Sequence, residues 1–136
     1  MKITVVGMGY VGLSNAIALA QRNTVSVLEI SSEKVDLLND RKSPIVDSLA
    51  SKYLKKKSID ISATTSAQEA YKNTKYILIC TPTNYNEKDN SFDTSSIKSL
   101  IRDISKTKFK GPIIIRSTIP IGFTNEIQKK YKNKDH

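Results

Sequence analysis

A strand-like run that ends in three spaced glycines most constrains how this chain can fold. Ile3 to Val6 is apolar and mostly β-branched, which favours a strand, and the run stops at Gly7. Gly7, Gly9 and Gly12 follow the spacing G-x-G-x-x-G, and an alanine-rich helical pattern begins at once. This order of strand, glycine turn and helix predicts a helix N-terminus that faces phosphate groups.

Each glycine has its own predicted role in such a turn. Gly7 permits the tight turn out of the strand, Gly9 lets a pyrophosphate approach the backbone, and Gly12 lets the helix pack close to the strand. Because loops also collect glycine for backbone reasons alone, a purely structural turn is the alternative.

An acidic residue at the end of the next apolar run matches the second half of the pattern. Thr24 to Ile30 predicts a second strand, and Glu29 lies 20 residues after Gly9 (29 − 9 = 20), the spacing expected for a carboxylate that binds ribose hydroxyls. Such a carboxylate repels a 2′-phosphate, so NAD is favoured over NADP. Lys34 could accept that phosphate, and a solvated charge at a strand end is the alternative for Glu29.

Composition and charge narrow the classes of function. The 136 residues are enough for one domain with its own core, and 38% hydrophobic with 26% charged residues is typical of a globular protein. No apolar run approaches the ~20 residues of a membrane span, so a cytoplasmic location without membrane contact is expected. The net charge of +9 comes from scattered lysines without interleaved aromatic residues, so nucleic acid is not an expected partner.

The single cysteine predicts neither a disulfide nor a nucleophile. Cys80 ends the apolar run YILIC, where a buried thiol is the common case. The only histidine is His136, at the end of the chain, so no Cys-His pairing is evident and no metal site is indicated.

Strands and helices are predicted to alternate along the chain. Further strands are expected at 59–63, 75–80 and 113–116, and helices at 10–22, 31–40, 47–57, 66–72, from 93 or 94 onward, and at about 123–131. Residues 81–92 are predicted to form a loop. The expected fold is α/β, a doubly wound, Rossmann-like parallel sheet with strand order 3-2-1-4-5. That order brings the glycine turn and the loops at Thr81 and Ser117 to one edge of the sheet.

Three segments resemble a known enzyme family. GMGYVGLS at 7–14, TPTNYN at 81–86 and STIPIGFT at 117–124 closely resemble the amino-terminal domain of the UDP-glucose 6-dehydrogenases, and the similarity covers the whole chain. The resemblance implies two successive NAD-dependent oxidations of UDP-glucose to UDP-glucuronate through an active-site cysteine. Related dehydrogenases of GDP-mannose or UDP-N-acetylmannosamine share the glycine turn, whereas the two later segments favour UDP-glucose.

The resemblance also implies the residues of the site. Many relatives carry Asp where this chain has Glu29, a departure of one methylene that keeps the charge. Thr118 is expected near the reacting sugar, in a supporting catalytic role. The expected cofactor-binding residues are Gly7, Gly9, Tyr10, Val11, Gly12, Glu29, Lys34, Thr81, Pro82, Thr83, Ser117 and Thr118.

The same resemblance implies parts that lie beyond position 136. These are the nucleophilic cysteine, the catalytic lysine, the substrate-binding residues and a sixth strand of the sheet; Cys80 does not match the nucleophile. Residues 1–136 are therefore expected to be an NAD-binding domain truncated before a central helix and a UDP-sugar-binding domain, able to bind NAD without turnover. A stand-alone regulatory nucleotide-binding module is the alternative. The intact enzyme is expected to be a homodimer, and the strand at 112–118 to be an apolar edge that pairs with another chain.

Overall fold

The computed structural model describes residues 1–131. These residues form two compact units, and each is described by itself: residues 1–81 with 111–116, and residues 82–110 with 117–131. The strands are β1 (Lys2–Val6), β2 (Thr24–Leu28), β3 (Ile61–Thr64), β4 (Tyr76–Ile79), β5 (Tyr85–Asn86), β6 (Ser91–Phe92) and β7 (Ile113–Ile115). The helices are α1 (Tyr10–Ala20), α2 (Ser32–Asn39), α3 (Ser48–Leu54), α4 (Ala67–Tyr71), α5 (Ser95–Ile104) and α6 (Phe123–Tyr131).

The first unit is built on a five-stranded parallel sheet in the order β3-β2-β1-β4-β7. Because β7 is the fifth strand of this sheet along the chain, the predicted order 3-2-1-4-5 is confirmed. The central strands β1, β2 and β4 are buried along nearly their whole length, as expected for parallel strands that are covered on both faces.

Helices lie on both faces of the sheet. Alternate residues of β1, β2 and β3 form one core with α1, α2 and α3, in which Val5, Val27 and Leu38 are fully buried. On the other face the buried hydroxyl of Thr4 donates to the carbonyl oxygen of Ala70 in α4, at 2.7 Å. The fold is therefore doubly wound, as predicted.

Side-chain caps fix the starts of three helices. The side chains of Ser31, Asp47 and Ser66 accept the backbone N–H three residues later, which satisfies a donor that has no partner within the helix. The helices predicted at 31–40 and 47–57 begin at the first two of these caps. The predicted helix at 47–57 ends earlier, at Leu54.

The two edges of the sheet differ. At β3 the side-chain amide of Asn39 acts like a neighbouring strand: Nδ2 donates to the carbonyl oxygen of Ala63 at 3.0 Å, and Oδ1 accepts from the N–H of Ala63 at 2.8 Å. At β7 the residues that bond to β4 alternate with residues that do not. The N–H of Ile77 donates to the carbonyl oxygen of Pro112, and the N–H of Arg116 donates to the carbonyl oxygen of Ile79. The backbone N–H and C=O groups of Ile113 and Ile115 therefore face away from β4.

In the second unit, the predicted loop at 81–92 contains a short hairpin, so the sequence prediction was incomplete there. β5 and β6 pair antiparallel, with the rings of Tyr85 and Phe92 5.1 Å apart. Asn90 turns the chain in the left-handed conformation (φ 47°), and its Oδ1 accepts a hydrogen bond from the Tyr85 hydroxyl. Across residues 1–131, no helix combines the length and the apolar character needed to cross a membrane.

Candidate dinucleotide-binding site

Two of the three glycines are required by the fold itself. Gly7 has φ +97°, and a Cβ there would lie 3.0 Å from the carbonyl oxygen of Cys80. A Cβ on Gly12 would lie 2.0 Å from the carbonyl oxygen of Gly7. The turn between β1 and α1 therefore packs too closely for larger residues at either position.

Gly9 differs from its neighbours, because the fold does not require a glycine there. Its φ is −79°, which any residue adopts, and among the described residues no atom beyond its two chain neighbours lies within 4 Å of the position of a Cβ. Gly9 is the N-cap of α1, whose first turn has neither a side-chain cap nor an acidic residue. The open space thus lies at the N-terminus of α1, the positive end of the helix dipole, and an arrangement of this kind fits a pyrophosphate.

Glu29 follows β2 and contacts the glycine turn. Its side chain is 9% exposed, and Oε2 accepts the N–H of Met8 at 2.9 Å. Oε1 accepts the N–H groups of Ile30 at 2.9 Å and Ser31 at 3.2 Å. The carboxylate is therefore held by backbone donors, beside the position where a ribose would follow the pyrophosphate.

Exposed apolar side chains surround this turn. Tyr10 and Val11, in the first turn of α1, are 63% and 48% exposed. Ile30 is 97% exposed and follows Glu29 directly, and it is not among the site residues predicted from the sequence. Its signal was an apolar residue placed after the acidic one, which the sequence prediction had included in the second strand, whereas that strand ends at Leu28.

Cys80 and Thr81 lie beside the turn, at the end of β4. Cys80 is buried, and its N–H donates to the carbonyl oxygen of Val6 at 2.8 Å. Burial raises the pKa of the Cys80 thiol, and the positive charge of Arg116 opposes that rise. A buried thiol with a raised pKa is a poor nucleophile.

The remaining predicted site residues divide between the units. Lys34 lies in the first turn of α2, where its N–H donates to the Ser31 hydroxyl at 3.4 Å. Thr81 ends its segment of the first unit, in contact range of Gly7. Four further residues belong to the second unit: Pro82, Thr83, Ser117 and Thr118, of which Thr83 and Ser117 are half-buried and the other two exposed.

Comparison with known proteins identifies the family. Residues 1–136 match the model of the UDP-glucose/GDP-mannose dehydrogenase family, NAD binding domain. The chain belongs to this family of NAD-dependent nucleotide-sugar dehydrogenases, as its NAD-binding domain, and NAD is the cofactor of that domain.

Relatives of known name agree with the family. The chain is 43% identical to the UDP-glucose 6-dehydrogenase of Streptococcus pneumoniae over 131 residues, which are 96% of this chain and 33% of that protein. It is also 43% identical to the UDP-glucose 6-dehydrogenase of Campylobacter jejuni over 133 residues, 96% of this chain and 34% of that protein. The chain thus spans about a third of the length of each relative.

A solved structure agrees in fold. The crystal structure of a ternary complex of GDP-mannose dehydrogenase from Pseudomonas aeruginosa superposes with a TM-score of 0.83 at 29% identity. The match covers 93% of this chain and 30% of that one.

Proposed function

We propose that this chain binds NAD at the glycine turn, as the cofactor-binding part of a UDP-glucose 6-dehydrogenase. The observation that carries the proposal is the open space at Gly9 in front of an uncapped helix. The pyrophosphate would bind the N–H groups of the first turn of α1, and the adenosine ribose would donate to Glu29. The other predicted contacts, from Lys34 and from the segments at 81–83 and 117–118, would complete the site. NAD supplies the hydride acceptor when bound.

UDP-glucose is the substrate that the relatives favour. Identity is 43% to two UDP-glucose 6-dehydrogenases and 29% to 33% to GDP-mannose dehydrogenases of Pseudomonas. A dehydrogenase of GDP-mannose or of UDP-N-acetylmannosamine is the alternative within the family. In the whole enzyme, Thr118 would assist near the reacting sugar.

We further propose that residues 1–136 are the amino-terminal part of a longer enzyme, because its relatives are about three times as long. As part of the same proposal, the whole enzyme would be cytoplasmic and homodimeric. On its own the chain would bind NAD without oxidising UDP-glucose, and it would self-associate through the strand at 112–118. The coding sequence after position 136 tests this directly. An in-frame continuation with a cysteine and a lysine of the family supports it, whereas a stop codon favours a regulatory module.

Titration calorimetry tests NAD binding. The chain is expected to bind NAD, and to bind NADP more weakly because Glu29 repels the 2′-phosphate. Absence of heat at millimolar NAD, with an intact circular dichroism spectrum, would contradict the proposal. NADH formation from UDP-glucose by the chain alone would contradict its predicted inactivity.

A substrate comparison tests the branch of the family. The full-length product of the gene is expected to reduce NAD with UDP-glucose and far more slowly with GDP-mannose or UDP-N-acetylmannosamine. Preference for either of the other two sugars would transfer the assignment to that branch.

A further inference from the structure

Glu29 joins three segments of backbone, two through its carboxylate and one through its own N–H. Oε2 accepts the N–H of Met8, inside the glycine turn, while Oε1 accepts from Ile30 and Ser31 at the start of α2. The backbone N–H of Glu29 donates to the carbonyl oxygen of Thr64, at 3.1 Å. One buried side chain therefore holds the turn against the segment between β2 and α2.

Met8 lies at the position where this bond matters most. It separates Gly7, which is in the left-handed region, from Gly9, the N-cap of α1. The N–H of Gly7 donates to the carbonyl oxygen of Leu28 at 2.9 Å, so two consecutive N–H groups of the turn bind the end of β2. These bonds fix the direction in which α1 leaves the turn.

The carboxylate still has capacity for a ligand. Two carboxylate oxygens offer about four acceptor sites, and backbone donors fill three of them. Only the remaining site is available to a ribose hydroxyl without loss of one of these three bonds. The ribose contact and the position of the phosphate-binding turn therefore depend on one side chain.

We propose that Glu29 is a positioning residue for the pyrophosphate as well as a ligand for the ribose. This inference rests on the proposed NAD site and extends it: Glu29 acts on the phosphates through Met8, which it holds in place. Replacing Glu29 to admit NADP would then also weaken the phosphate contacts. In this chain the bond depends on the length of the side chain, because an aspartate is one methylene shorter and would not reach Met8 without movement of the backbone.

The experiment separates the two roles with a ligand that has no ribose. Glu29→Asp keeps the charge but shortens the side chain, whereas Glu29→Gln keeps the length but has only one acceptor oxygen. The control, Glu33→Asp, makes the change from glutamate to aspartate at an exposed residue of α2. Amide hydrogen exchange of Met8 is measured in the free protein, and the affinity for inorganic pyrophosphate by calorimetry. In both Glu29 variants the amide proton of Met8 is expected to exchange about tenfold faster, since a charge-assisted hydrogen bond is lost. Both variants are also expected to bind pyrophosphate several-fold more weakly. Glu33→Asp is expected to change neither.

Two results would overturn the inference. Unchanged exchange at Met8 in both variants would mean that the carboxylate does not hold the turn. Faster exchange with unchanged pyrophosphate affinity would mean that the bond is structural only. The exchange measurement needs no ligand, so it tests the bond between Glu29 and Met8 whether or not the chain binds NAD. A wild-type chain that binds neither pyrophosphate nor NAD would refute the proposed function, and the role of Glu29 would then be limited to holding the turn.

Discussion

Gly9 and Gly12 are three residues apart and have opposite reasons to be glycine. A side chain at position 12 would collide with the backbone of Gly7, whereas one at position 9 would enter open space beside the helix N-terminus. The first constraint comes from the protein and the second, by our proposal, from a ligand. At the residue scale this difference separates folding from binding.

Alanine substitutions test that separation. Gly12→Ala is expected to destabilise the fold by about 3 kcal/mol, because a Cβ 2.0 Å from a carbonyl oxygen forces the backbone apart. Gly9→Ala is expected to change stability by less than about 1 kcal/mol. It should nevertheless weaken NAD binding about tenfold or more, since its methyl group occupies the space of the pyrophosphate. Urea unfolding and calorimetry measure the two effects, and equal stability losses in the two variants would contradict the distinction.

The thiol of Cys80 makes stability depend on pH above neutrality. Burial raises its pKa in the folded state, so the folded protein retains the proton at a pH at which the unfolded chain has lost it. The folded state is therefore favoured below the unfolded pKa of about 8.5, and this contribution is lost as the pH rises through the folded value.

Comparison with Cys80→Ala isolates this contribution, because lysines and tyrosines titrate in the same range. Between pH 8 and pH 10, roughly the interval that brackets an ordinary thiol pKa, the free energy of unfolding is expected to fall more steeply for the wild type than for Cys80→Ala. Parallel curves from urea titrations would show that the thiol does not contribute.

The C-terminal end of helix α2 has a residue type that is unfavourable for its backbone conformation. The N–H of Arg41 donates to the carbonyl oxygen of Leu38 at 2.9 Å, and that of Lys42 to Leu37 at 2.8 Å, the pattern of a Schellman motif. Arg41 has φ 62°, a left-handed conformation in which glycine is usual. Its Nη1 is buried and has no hydrogen-bond partner among the described residues. Both features are unfavourable for the end of this helix.

Arg41→Gly is accordingly expected to stabilise the protein by about 1 kcal/mol, which raises the melting temperature by roughly 3 °C. Arg41→Ala is the matched control, since it removes the guanidinium but keeps a Cβ in the left-handed conformation. If thermal unfolding gave the same melting temperature for both variants, the gain would come from the guanidinium and not from the backbone.

The sequence was sufficient for elements that have a strong pattern. β1, β2 and β4 are apolar runs, and the segments at 31–40 and 47–57 have helical periodicity, so their places were predicted. The hairpin of β5 and β6 has strands of two residues, too short for any period, and turns at Asn90 instead of a glycine. The bonds of Glu29 to Met8 could not be predicted either, because they depend on two segments meeting in space.

At the scale of the whole molecule, β7 is an edge strand of the sheet, and within residues 1–131 no adjacent strand pairs its outward-facing backbone groups. The backbone N–H and C=O groups of Ile113 and Ile115 face away from β4, and Ile114 is 40% exposed. An apolar edge of this kind can pair with another chain, while the net charge of +9 opposes association at low salt.

Sedimentation at high salt is therefore expected to reveal concentration-dependent association of the wild-type chain. Ile114→Lys should abolish it, because a charge on an edge strand disfavours pairing. Ile121→Lys adds the same charge at a fully exposed residue outside the strands and should leave association unchanged. A monomeric wild type at every concentration, or equal effects of the two lysines, would refute pairing through β7.

The opposite edge depends on the chemistry of a single amide. Asn39 matches both backbone groups of Ala63 only because its side chain carries one donor and one acceptor. Deamidation would replace Nδ2 by a second oxygen and set it against the carbonyl oxygen of Ala63, so that an aged protein would lose this cover on β3. A slow covalent change in storage, without any mutation, would then give the sheet a second edge open to pairing.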